Sequence, residues 1–108
     1  MTFDAAADTE PTDADLERAD ALIALGRHEA ARESLARVLA REPGNVEALC
    51  LLAQALKEAG APAEMLSVAE RANAVAPDEE WPHRLRALAL LDLDRAPEGV
   101  EAALAAVR

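Results

Sequence analysis

The chain has 108 residues, 52% of them apolar, with one Cys, one Trp, one Phe, no Tyr and a formal net charge of −10. A chain of this length makes one domain, and because its apolar content rests on Ala and Leu, it suits helices and argues against a sheet. The acidic balance argues against nucleic acid as a partner, the lone cysteine excludes an internal disulfide and fits a reducing, cytoplasmic compartment, and no apolar run is long enough to span a membrane.

Residues 1–11 are short of large apolar side chains, carry Asp4, Asp8 and Glu10, and end in a proline. This composition predicts a disordered acidic tail and not a signal peptide. Residues 1–20 hold seven acids against one base, so −6 of the −10 sits there. The first helix is expected from Thr12 or Asp13, with Thr12 and Asp15 as a capping box, an apolar face of Leu16, Ala19, Leu22 and Ile23, and Gly26 as its stop. The second runs from about His28 to Arg41, where Ala31, Leu35, Val38 and Leu39 recur at helical spacing and Glu33 stands four before Arg37. Pro43, Gly44 and Asn45 form the next turn; Asn45 caps the third helix and Gly60 ends it. Pro62 opens the fourth helix and Pro77 closes it. Asp78, Glu79 and Glu80 lead into the fifth, where Pro82 is tolerable because it lies in the first turn. Asp94 replaces the glycine of the earlier turns, and Pro97 starts a sixth helix whose Val100, Leu104 and Val107 face the stack.

These elements repeat. A shift of 34 residues takes Gly26 to Gly60 and Pro43 to Pro77, and superposes Ala19 and Leu22 on Ala53 and Leu56, then on Ala87 and Leu90. A fixed period of this size marks a helical repeat. An alanine recurs where two helices must cross closely. Along the middle unit the spacing is Leu49-x2-Leu52-Ala53-x2-Leu56, then Met65-x3-Ala69, then Pro77, and it resembles the tetratricopeptide repeat. Leu49 and Leu56 stand where that family usually has aromatic rings, Met65 and Ala69 stand where it usually has Ala and Phe, and the third unit lacks the closing proline. The expected fold is all-α, an α-solenoid of three stacked helix-turn-helix repeats with about six helices, over residues 12–45, 46–79 and 80–108.

The resemblance implies binding to another protein or peptide through a concave groove lined by the first helix of each pair. At about 100° per residue, Leu49, Leu52, Ala53 and Leu56 share one face of the third helix, and Glu47, Cys50, Gln54 and Lys57 share another. Carried over by the period, the groove is Asp13, Leu16, Asp20 and Ile23; then Glu47, Cys50, Gln54, Lys57 and Glu58; then Trp81, Arg84, Leu88, Leu91 and Asp92. Acids dominate its first half and its far end mixes Arg84 with Trp81 and leucines, which suits a peptide that is basic at one end and apolar at the other. Trp81 reads either as a partner anchor or as packing beside Pro82. Capture of a terminal carboxylate, as some members of the family perform it, is not expected, because Leu16, Asp20, Leu51 and Leu85 occupy the sites that would hold its Lys and Asn.

The ends of the stack read differently. The site facing a preceding unit is Glu17, then Leu51, then Leu85, a charged start followed by apolar copies. At the C-terminal end Val100, Ala103, Ala106 and Val107 remain apolar, so an alternative role is self-assembly, such as a homodimer, through that face. Catalysis is not expected: the only serines are Ser34 and Ser67, neither placed by the period beside a base, and there is no glycine-rich phosphate loop or paired-carboxylate cleft. Cys50 has no basic neighbour and reads as a small groove or core residue. His28 and His83 lie too far apart in the period to share a metal, and no cofactor is implied.

Overall fold

A computed structural model describes residues 11–93. Over them the chain forms five helices, α1 (Pro11–Ala24), α2 (His28–Arg41), α3 (Val46–Glu58), α4 (Pro62–Val75) and α5 (Glu80–Asp92), with no strand among the described residues. The acidic tail over 1–10, the turn at Asp94, the sixth helix and the apolar set Val100, Ala103, Ala106 and Val107 lie outside the described residues. The limits of α2 displaced by 34 residues are those of α4, and the limits of α3 displaced by the same step are those of α5. Each helix packs on the next, and α1, α3 and α5 also touch in succession, whereas the backbones of α2 and α4 stay apart and are bridged by the Arg32 and Glu64 side chains. This is a solenoid whose odd helices form an inner row and whose even helices form an outer one.

The turns repeat as well. At the end of α1 the Arg27 N–H donates to the Leu22 carbonyl (2.7 Å) and Gly26 donates to Ile23 (3.0 Å); at the end of α3 Ala61 donates to Leu56 (2.9 Å) and Gly60 to Lys57 (3.1 Å). Both glycines have positive φ, 76° and 74°, as the residue after the C-cap needs in this motif. Asn45 accepts the Ala48 N–H at 2.9 Å and so caps α3, and Pro62 occupies the first turn of α4, both as expected. The start of α1 differs from the expectation. Pro11 opens the helix, and Thr12 lies inside it as a buried residue whose hydroxyl donates to Glu42 (2.8 Å) instead of capping. A proline fits there because the first helical N–H has no intrahelical partner to lose. The Arg37 guanidinium likewise bonds Asp15 and Ser34, not Glu33.

The buried side chains form two clusters. The first holds Leu16, Ala19 and Ile23 of α1, Ala31, Leu35 and Val38 of α2, and Ala48, Leu51 and Ala55 of α3. The second joins Leu49, Cys50, Ala53 and Leu56 of α3 to Met65, Leu66, Val68, Ala69 and Ala72 of α4 and to Leu85, Ala87, Ala89 and Leu90 of α5. Leu39 and Leu52, partly buried, pack against both clusters and tie them together. Ala19, Ala53 and Ala87 are all buried at equivalent places, where a larger side chain would push the paired helices apart.

Candidate partner-binding groove

The inner helices present four kinds of position, and α3 shows them all. Ala48, Leu51 and Ala55 face the preceding pair, since they join the first cluster; Leu49, Ala53 and Leu56 face α4. Cys50 and Lys57 point at α5: Cys50 is 0% exposed within the second cluster, and the Lys57 ammonium lies 3.3 Å from Asp92. The arc that remains carries Glu47, Gln54 and Glu58, which are exposed or half-buried. At about 100° per residue these three fall within a narrow stripe of the helix, beside the row that Cys50 and Lys57 occupy.

Applied to α1 and α5, the same arithmetic sorts every residue expected in the groove. Asp13 and Asp20 of α1, Glu47, Gln54 and Glu58 of α3, and Trp81, Leu88 and Asp92 of α5 lie on the open stripe; Leu88 is half-buried and Trp81 is 36% exposed. Leu16, Ile23 and Cys50 do not line a surface that a partner could touch. They are buried on the flank where one inner helix meets the next. Arg84 and Leu91 occupy that same flank on α5 and are exposed. Trp81 is therefore not a fully packed neighbour of Pro82, which is itself buried.

Charge on the stripe is mostly negative. Asp13, Asp20, Glu47 and Glu58 make no ion pair among the described residues, whereas Asp92 pairs with Lys57 and Arg84 with Glu80. Burial pushes the Cys50 thiol up to about 12, with the nearby Glu79 and Glu47 carboxylates adding to the effect, so at neutral pH it is a buried neutral thiol and not a nucleophile. A shallow depression of about 340 Å³ is lined by Glu29, Arg32, Glu33, Ala36 and Leu52, and its Arg32 reaches Glu29 (3.3 Å) and Glu64 (3.9 Å). Arg32 therefore answers two carboxylates there, while Glu33 makes no ion pair among the described residues. Among the described residues no group of three or more His, Cys, Asp or Glu converges as a metal site, and no helix is long and apolar enough to cross a membrane.

The sequence model of the family described as tetratricopeptide repeat matches residues 22–89. A search of curated proteins finds no match.

Proposed function

Because the chain belongs to the tetratricopeptide repeat family, whose repeats generally mediate protein–protein contacts and are generally not catalytic, we propose that it is a non-catalytic adaptor holding a partner polypeptide against the stripe formed by α1, α3 and α5. The observation that carries this reading is the exposure of that stripe: successive inner helices bury their flanks on one another, and they leave an acidic run that ends in Trp81 and Leu88. Acidic residues at one end attract Lys or Arg, while a half-exposed indole beside a leucine receives an apolar anchor. The partner is then a segment with basic residues at one end and a large apolar residue at the other. The acidic net charge and the single cysteine support a soluble, cytoplasmic setting without nucleic acid as a partner.

Trp81 is the only tryptophan, so its emission reports on the stripe directly. Titration with synthetic peptides that pair a Lys/Arg run with a Leu or Phe anchor is expected to give a saturable blue shift, and Asp20→Asn with Glu47→Gln is expected to weaken it by about fivefold or more. Saturation that is unchanged by those two substitutions, or no shift with any peptide of this class while scrambled acidic peptides do bind, would refute the reading.

A further inference from the structure

The two ends of the described stack fit each other. On α1 the flank equivalent to Ala48, Leu51 and Ala55 is Ala14, Glu17 and Ala21, all exposed, and Leu25 just after the helix is 72% exposed, although its equivalent just after α5, Leu93, packs against the second cluster. On α5 the flank equivalent to the buried Leu16 and Ile23 of α1 is Arg84 and Leu91, and Leu91 is 50% exposed where Ile23 is 7%. Among the described residues nothing sits on either flank.

The internal interfaces specify what would sit there. Leu16 and Leu51, 35 residues apart, share the first cluster, and one repeat later Cys50 and Leu85 share the second at the same offset, which is also that of the Lys57–Asp92 ion pair. The next pair in this series joins Arg84 to the residue at the Leu51 position of an incoming inner helix. In α1 that residue is Glu17, opposite in charge to Arg84. The Lys57–Asp92 contact, 3.3 Å across α3 and α5, advances in the same way to Leu91 against Ala24, an apolar pair. Charge and apolarity therefore match at two consecutive register positions, on an interface that continues the two already present in the chain.

We propose that a second copy of this chain seats its α1 flank on the exposed α5 flank, head to tail, with Glu17 of one copy paired with Arg84 of the other. The contact is heterologous, so a dimer still carries one free flank of each kind, one on each copy, and association does not stop there. Within one chain Arg84 pairs with Glu80 on its own helix; an exposed pair of this type contributes little and is readily exchanged. This assembly does not rest on partner binding by the inner stripe, since neither Glu17 nor Arg84 lies on the stripe.

Sedimentation equilibrium of the full chain from micromolar to millimolar concentration tests the proposal. The weight-average mass is expected to rise past that of a dimer. Glu17→Arg and Arg84→Glu should each weaken association by about fivefold or more, and the double variant Glu17→Arg/Arg84→Glu should recover it. Circular dichroism confirms that each variant is folded. A monomer throughout the range, a closed dimer indifferent to both single substitutions, or a double variant no better than the singles would overturn the proposal.

Discussion

Asp15 sits between two guanidinium groups, Arg41 at 3.1 Å and Arg37 at 3.4 Å, and its side chain is 16% exposed. The Arg41 hydrogen bond holds its carboxyl below the ordinary value; burial opposes this, and the Arg37 bond and both positive charges reinforce it. Glu42 is lowered too, first by the bond from the Asn45 side chain and then by the Thr12 hydroxyl. A carboxyl with a folded pKa below its unfolded one adds stability that is fully present above the unfolded value, near 4, and lost as pH falls through the folded value. Thermal stability should therefore be flat at neutral pH and fall below about pH 4. Asp15→Asn is expected to cost about 1 kcal/mol at pH 7 and less at pH 3, as denaturant titrations at the two pH values would show. An equal cost at both would mean that Asp15 acts through packing instead of charge. Apart from the Asn45–Glu42 bond, which is local to one turn, these partnerships are not legible in the sequence. Thr12, Asp15 and the α2 arginines are brought together only by the antiparallel packing of α1 on α2, and a Thr followed three residues later by an acid reads equally well as a cap.

At the scale of the element, the helix limits follow from residues whose backbone preferences are strong. Gly26 and Gly60 can adopt positive φ because they lack the Cβ that would crowd its own backbone there, and Asn45 and Pro62 occupy starts that suit their acceptor and their fixed φ. A Cβ on Gly60 would meet nothing within 4 Å, so Gly60→Ala pays only for the backbone, about 1 kcal/mol. Gly44 has no positive φ, and a Cβ there would reach Val75 Cγ2 at an ordinary 3.9 Å, so Gly44→Ala should be nearly neutral. Thermal melts of the two variants separate the cases; equal losses would show that turn conformation is not what Gly60 provides. Pro11 shows the limit of such local signals. A proline is as compatible with the first turn of a helix as with the end of a tail, and only the packing of Thr12 against Glu42 decides between them.

At the scale of the whole molecule, the chain holds together through interfaces between successive pairs, so stability depends on nearest neighbours. Leu51, 4% exposed, joins α3 to the first pair, and its equivalent at the exposed start is Glu17. Leu51→Glu places the residue of the free flank inside a buried interface, at an expected cost of about 3 kcal/mol or more. The first pair should then melt ahead of the rest, as two transitions by calorimetry. A single transition at nearly the original temperature would mean that the pairs are not coupled through this face.

The sequence by itself determined the period, the helix limits other than the start of α1, the glycine turns and the core faces, because each is written in local residue preferences and in spacings along one helix. It also marked the acidic character of the inner face. Which residues of that face stay open was decided by tertiary structure alone. Leu16, Ile23 and Cys50 share an arc with Asp20, Glu47 and Gln54 on a helical wheel, but where one inner helix lies against the next covers the first three and leaves the others bare. The spacing of residues along a helix carries no information about the position of its neighbour, so the boundary between buried flank and open stripe exists only once the helices are packed.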